Sequence, residues 1–330
     1  MKKTFLLIFL LIYALCQGQV SRRRTLMLMG SRFDITVVAA KKETAEAYID
    51  TAVAEITRIE NLISEWRPET QVSAINNNAG IQPIKVDKEL FDLTERALHF
   101  SVISGGAFDI SFAAMDRIWK YDGSMTEMPN EETIKKSVAK VGYRNIILDR
   151  EKQTIFLKNV GMKIGFGSIG KGYAADKARE LLISKGVKAG IVNASGDMNS
   201  WGKQPNGKKW TVGITNPADK DNIFAIVPLA KQKSAVVTSG NYEQFVMLNG
   251  KRYSHIINPV TGYPATGLSS VTVFGTSAET ANGFSTAIMV LGKDAGLKLI
   301  NRYKNLSCVM ITDDGEILCS KNFNIKKYRQ

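Results

Sequence analysis

Histidine and cysteine are scarce in this chain: two histidines and three cysteines among 330 residues. A zinc site of the Cys/His kind has almost nothing to draw on. A serine triad would have to be built on one of two imidazoles, and no Gly-x-Ser-x-Gly elbow is present. Proline is also sparse, with 8 residues, and no Pro-, Gly- or Ser-rich stretch reads as a linker or a low-complexity segment. Beyond the extreme N-terminus no run is long and apolar enough to cross a membrane. Acidic residues are the minority charge, 31 against 44 Lys and Arg, for a formal net charge of +13. The basic residues are scattered apart from Arg22-Arg23-Arg24 and the tail Lys326-Lys327-Tyr328-Arg329, and no aromatic residues interleave a basic patch. That pattern argues against a nucleic-acid partner and for attraction to anionic ligands, with association at a membrane surface left open.

What is present begins with a leader. Lys2 and Lys3 precede an uncharged run from Phe5 to Cys16, the length of a signal-peptide core and too short to span. Residues 1–18 read as a signal peptide cut after Gly18, which makes the protein exported, to the periplasm or cell envelope. A lipid anchor on Cys16 is disfavoured by the bulky Leu15 before it. About 310 residues then remain, enough for one large domain with a real core, taken here as residues 24–325. Of the two cysteines left, Cys308 and Cys319 both fall in closing strands, and the spacing allows either buried thiols or a disulfide.

Hydrophobic periodicity predicts a first strand over Leu26–Ala40 and an amphipathic helix over Lys42–Ile63, with Ala45, Ala52, Ile56, Ile59 and Ile63 on one face. A polar irregular run, Ser64 to Gln71, leads to the turn residues 76–80. Asp87 opens a second helix to Ile103 that contains His99, which reads as structural. A short helix is predicted around Trp119 within 108–121, a charged one near Glu131–Ala139, and strands at Asn145–Leu148 and Thr154–Leu157, the second within a strand-like run from Gln153 to Ile164. Later strands are read at Ala189–Ala194, Trp210–Thr215, Ile223–Leu229, Ser234–Thr238, Ser269–Phe274, Ser307–Thr312 and Glu316–Cys319. A hairpin crosses Asn249-Gly250, and helices occupy Ala278–Leu291 and Asp294–Tyr303. Strands mixed with helices, without regular βαβ alternation, predict an α+β fold of mixed or antiparallel sheets flanked by helices.

The chain is organised around residues 162–176, where Gly165, Gly167, Gly170 and Gly172 sit between an extended run and a helix that reaches Gly186. Amide groups and the positive helix end at such a turn suit a phosphate, and Lys171 adds a full charge. The stretch is neither a Walker loop, since Lys171 is followed by Gly172, nor a complete dinucleotide fingerprint, since no acidic residue follows at the expected distance. A tight turn without a ligand remains open on this ground alone. His255 ends the second hairpin strand in a Pro/Gly loop, where a proton donor or acceptor can be displayed. Two further strands end in polar turns, Asn193–Asp197 and Thr238–Tyr242, and these could converge with the glycine turn and His255 on one anionic ligand.

At this point the chain strongly resembles the ApbE family, the FAD:protein FMN transferases. Seven motifs occur in the family's order: Met29-Gly30-Ser31, Ser104 to Ile110, Gly167 to Asp176, Asn193 to Asp197, Thr238 to Tyr242, Tyr253 to Gly262, and Asn282 to Ala287. The resemblance implies a T-fold-related single domain that takes FAD and a divalent metal, usually Mg2+, and joins FMN through a phosphoester to a Thr or Ser hydroxyl of an acceptor protein, releasing AMP. It implies flavin contact by Met29 and a covering aromatic at Trp66. Ala107, Phe108 and Asp109 would meet the adenosine part, and Gly165, Lys171, His255 and Ile256 would also meet the cofactor. His255 and Lys171 are the implied catalytic pair. Ser168 through its carbonyl, Asn282 and Thr286 are the implied metal ligands. Three family carboxylates are replaced here, by Gly165, Asn258 and Asn282, which leaves two readings beside efficient transfer: an FAD binder with little transfer activity, or a pyrophosphatase giving FMN and AMP with water in place of the acceptor hydroxyl. A purely structural surface protein would show no response to FAD.

Overall fold

The computed structural model describes residues 19–216, 219–242 and 244–328. The expected leader, residues 1–18, lies outside them.

The chain opens with a hairpin, β1 (Val20–Leu28) and β2 (Ser31–Ala39), followed by α1 (Lys42–Ile63) and the short α2 (Gln71–Asn77). β3 (Ile84–Lys85), α3 (Lys88–Ile103), α4 (Glu131–Val138), β4 (Ile146–Asp149) and β5 (Thr154–Leu157) come next. Then follow α5 (Gly170–Ser184), β6 (Ala189–Ala194), β7 (Asp197–Trp201), β8 (Thr211–Asn216), β9 (Asp219–Pro228) and β10 (Ala235–Gly240). β11 (Phe245–Leu248), β12 (Lys251–Ser254), β13 (Leu268–Gly275), α6 (Ala278–Ile300), β14 (Ser307–Thr312) and β15 (Ile317–Cys319) complete it. Eight strands form one sheet in the order β1-β2-β6-β7-β10-β13-β14-β15, every neighbouring pair antiparallel. The architecture is α+β.

Strand alternation gives the sheet two buried faces. Val237, Val271, Val273, Cys308 and Met310 point into the larger core, beneath α1, α3, α5 and α6. Their neighbours Val236, Phe274 and Val309 point the other way, against the β8–β9 hairpin and the C-terminal Phe323 and Ile325. A sheet covered on both sides leaves its central strands no exposed face, and every residue of β13 and β14 is buried. Cys319 lies across from Val309 and packs with its face, while Cys308 belongs to the opposite one. The two sulfurs therefore sit on opposite sides of the sheet and form no disulfide. Among the described residues, no helix is long and apolar enough to cross a membrane.

Several expected elements differ. The first strand is two: the chain reverses at Met29 (φ 51) and Gly30 (φ 66), both left-handed, as a two-residue hairpin turn demands. The strand at Thr154–Leu157 is as expected, but the strand-like run does not continue as a strand to Ile164. Met162, Ile164 and Phe166 are buried alternately, as in a strand, but the backbone of Ile164 pairs with the Asn76 side chain (2.8 and 3.0 Å) instead of a sheet. Around Trp119 there is no helix. A 3-10 turn covers Ile110–Ala114, and the Trp119 indole is held instead by Gly262 O at 2.9 Å and stacked on Tyr253. Between the irregular run ending at Gln71 and the turn residues 76–80 lies a helix not expected from the sequence, α2 over Gln71–Asn77, with Thr70 capping the Ser73 amide. The two C-terminal helices are as expected: within α6 the backbone leaves the helical region at Gly292 (φ 77, ψ −178), which divides it into two helical segments.

Candidate active site

Four chain ends meet over one edge of the large core. α5 begins at Gly170 with no side chain capping its first turn. Its axis is fixed by close approach: a Cβ on Gly172 would lie 2.5 Å from the Ala278 carbonyl of α6, so only glycine lets the two helices touch there. Asp176, one turn further on, completes the junction. Its carboxylate accepts from Ser277 Oγ (2.7 Å), the Ala278 amide (2.8 Å), the Glu279 amide (3.0 Å) and Asn199 Nδ2 (2.7 Å). The first amides of α6 thus find their acceptor on α5. Lys171 and Asn282 are thereby held on helices that cannot slide past each other.

Between these helices, the β10 end and the β11–β12 hairpin lies a cavity of about 620 Å3. Its wall contains Gly165, Gly167, Ser168 and Lys171 from the glycine turn, Ser195 and Asp197 from the turn after β6, and Thr238, Ser239 and Gly240 from β10. His255, Ile256, Ile257 and Pro259 come from the loop after β12, and Asn282 and Thr286 from α6. Trp66, Ala107 and Asp109 complete it on the far side.

The charges are placed with purpose. Lys171 Nζ stands 3.9 Å from Asp197 Oδ2, which is too long for a tight pair and leaves the ammonium able to meet an anion. His255 is fixed through its backbone amide and through Nδ1, 3.0 and 3.1 Å from Gln244 O. A carbonyl only accepts, so Nδ1 carries the proton and Nε2 keeps its lone pair in the neutral ring. Asn282 Oδ1 is buried and accepts no hydrogen bond within the protein. Asn282 and Thr286 stand four residues apart on one helix face. Asp109 has its oxygens committed to Ser111 N (2.8 Å), Ser111 Oγ (2.6 Å) and Tyr143 N (2.8 Å), and burial nevertheless pushes its carboxyl up. Its role is to fold the 109–114 turn that presents Ala107 and Ile110 to the cavity. Asn258, outside the wall, caps the loop by accepting from the Val260 amide at 2.9 Å.

Compared with known proteins, the chain matches the ApbE family over residues 29–310. The chain belongs to the ApbE family. It is 30% identical over 299 residues to the FAD:protein FMN transferase of Treponema pallidum, covering 86% of this chain and 82% of that one. It is 30% identical over 277 residues to one from Klebsiella pneumoniae, at 83% and 85% coverage. The solved ApbE protein of Thermotoga maritima superposes with a TM-score of 0.83 at 29% identity, over 94% of this chain and all of that one. The apo flavinyl transferase ApbE of Pseudomonas stutzeri gives 0.80 at 27%, over 92% and 96%.

Two residues carried over from the ApbE pattern are not on the cavity wall. Met29 sits in the β1–β2 turn with its amide on Glu60 Oε2 (3.2 Å) and its side chain behind the glycine turn. Phe108 is 1% exposed and packs edge-on against Phe100, as core. Trp66, by contrast, is 70% exposed at the rim, with the Arg117 guanidinium 4.5 Å above its ring. His99 is on the outer face of α3, away from the cavity. Reading the sequence missed Glu65, Arg117 and Gln244 in the wall. The first two lie in runs without periodicity, and their only signal was an acidic and a basic residue each beside a tryptophan or in a polar turn.

Proposed function

We propose that this ApbE-family chain is an FAD:protein FMN transferase, moving FMN from FAD to a Thr or Ser hydroxyl of an acceptor protein and releasing AMP. The observation that carries this reading is the convergence of Lys171, His255, the open glycine turn and the Asn282/Thr286 pair on one cavity of about 620 Å3. The fold's known relatives bear that activity in their names.

In the reaction the acceptor oxygen attacks the phosphorus on the FMN side of the diphosphate. The bond to the bridging oxygen breaks, AMP departs with that oxygen, and the hydroxyl proton is lost. His255, whose ring is oriented by Nδ1 on Gln244 O, is the base for that proton. Lys171 and the amides at Gly167 and Ser168 carry the diphosphate charge, so that positioning and charge neutralisation do most of the work. A cation fits the remaining donors. They are all oxygens, and the buried Asn282 Oδ1 otherwise lacks a partner. Asn282, Thr286 and the Ser168 carbonyl would hold Mg2+, which when bound neutralises phosphate charge. Among the described residues no three His, Cys, Asp or Glu side chains gather as a metal cluster, so the phosphates of FAD themselves are needed to complete the charge around it.

The test is incubation with FAD, Mg2+ and a protein bearing a candidate acceptor threonine. A covalently fluorescent acceptor band and AMP in equal amount are expected. AMP without acceptor would mean hydrolysis instead, and FAD binding with neither product would mean a binder alone. Export through the 1–18 leader belongs to the same proposal, and recovery of the uncleaved chain in the cytoplasmic fraction would overturn it.

A further inference from the structure

Glu65 lies two residues beyond the end of α1, in a loop whose backbone is pinned from α2. Thr70 Oγ1 donates to Ser64 O (2.7 Å), and Ser73 Oγ donates to Arg67 O (2.7 Å) and Glu65 O (3.4 Å). With its backbone fixed, the side chain turns into the cavity wall beside Gly165. A methyl group placed on Gly165 would fall 1.7 Å from Glu65 Oε2 and 2.7 Å from its Cδ. The carboxyl group thus fills the space a side chain at position 165 would use. Gly165 cannot become larger while Glu65 stays, and its own amide is tied to Ile110 O at 3.0 Å, so the glycine cannot retreat.

The carboxylate itself is not satisfied by the protein. Oε2 is buried and has no hydrogen-bond partner. Such an oxygen is costly to bury in isolation. Burial pushes the Glu65 carboxyl up, while Arg117 and Lys163 pull it toward the charged form through space. Arg117 does not pair with it directly; its guanidinium lies over the Trp66 ring. An acceptor without a donor, next to an exposed indole at the rim of a ligand cavity, is the arrangement of a binding group waiting for a ligand N–H or O–H.

We propose that Glu65 is a binding residue for the flavin half of FAD, accepting a hydrogen bond from its imide N–H or a ribityl hydroxyl, and that it places its carboxylate from the α1–α2 loop in the space a side chain at position 165 would use. The proposal rests on the FAD reading of the cavity and names a residue that reading did not include. The flavin half is chosen over the adenylate because Trp66, adjacent in the chain, offers the only exposed aromatic face among the described residues of the wall. A flavin ring stacks on such a face.

The experiment measures equilibrium binding of FAD, riboflavin and AMP, without turnover, to the unmodified chain and to Glu65→Ala, Glu65→Gln, Gly165→Ala, the Glu65→Ala/Gly165→Ala pair and the Glu65→Ala/Gly165→Asp swap. Losing a hydrogen bond to a charged acceptor predicts about tenfold weaker FAD and riboflavin binding in Glu65→Ala, and a smaller loss in Glu65→Gln, whose amide oxygen still accepts but without the charge, with AMP unchanged. Gly165→Ala weakens flavin binding in the parent, because it displaces the carboxyl, but not in the Glu65→Ala background. That non-additivity is the signature of one shared position. The swap restores flavin affinity. Glutamine keeps the shape of the side chain, so it separates loss of charge from loss of folding. Unchanged riboflavin binding in both Glu65 variants, or equal losses for riboflavin and AMP, would overturn the proposal while leaving the transferase reading in place. Failure of the unmodified chain to bind FAD would instead overturn that reading.

Discussion

His255 and Asn282 divide the proposed work, and substitution separates them. The His255 ring is oriented by the Gln244 carbonyl, so His255→Ala should lower the transfer rate by about 100-fold or more while FAD affinity, read by flavin fluorescence, changes little. Equal losses in rate and affinity would make the imidazole a positioning group. Asn282 presents a buried amide oxygen without a hydrogen-bond partner in the protein. Hard cations favour carboxylate over amide oxygen, so Asn282→Asp should tighten Mg2+ binding measured by calorimetry in the presence of FAD. Unchanged affinity would remove Asn282 from the cation site. The same reasoning explains why the net charge of the wall matters: each missing carboxylate makes the cavity more attractive to a diphosphate and less able to hold a cation alone.

At the scale of elements, the decisive contact is the junction of α5 and α6. Asp176 accepts four hydrogen bonds there, two of them from the first amides of α6. Asp176→Ala leaves those buried donors without an acceptor and should destabilise the fold by on the order of 3 kcal/mol, seen as a lower denaturant midpoint. Because Ala278 and Glu279 lie one turn ahead of Asn282, cation affinity should fall with it. Asp176→Asn keeps the volume but turns an amide N–H toward donors, so it should recover only part of the loss. This junction also marks how far the sequence could be read. The helices α1, α3 and α6 and the Asn249-Gly250 hairpin announce themselves through apolar spacing and turn chemistry, because their faces are set by one period or by left-handed backbone at Asn249 and Gly250. The role of Asp176 could not be read from its own stretch, because the partners that explain it on α6 are about a hundred positions away. The same holds for Ile164, whose strand-like alternation is genuine but whose partner is the Asn76 side chain. It holds for β1, where Arg22 to Arg24 hide a strand under an alternating exposed face. The convergence of the polar loop ends on one cavity was legible as a possibility. That Glu65 fills the space at Gly165 was not, because the two are 100 positions apart and only packing brings them together.

Across the whole molecule, the helical layer behind the cavity is fastened by charge as well as by the apolar core. Glu89 of α3 accepts from both Arg58 Nη atoms of α1 (2.7 and 2.9 Å) and from the Tyr173 hydroxyl of α5 (2.6 Å). Arg96 of α3 meets Glu279 of α6 through Nε at 2.6 Å. These two carboxylates respond to acid in opposite senses. The Arg58 hydrogen bonds, with Tyr173 adding to them, hold the Glu89 carboxyl below its ordinary value of 4.5. Burial pushes Glu279 above the same value despite its arginine. A depressed folded pKa means the Glu89 contribution is fully present above the ordinary value and is lost as pH falls through the lowered one. For Glu279 the folded state holds its proton more tightly, so stability declines as pH rises from the ordinary value through the raised one. A melting curve of the parent alone therefore mixes two slopes. The difference between the parent and Glu89→Gln isolates the first: the gap in Tm should be constant above about pH 5 and close as pH falls below 4.5. A gap that stays the same down to pH 3 would mean that the Glu89 charge does not hold α1, α3 and α5 together, and that the helical layer over the cavity is kept in place by its apolar packing alone.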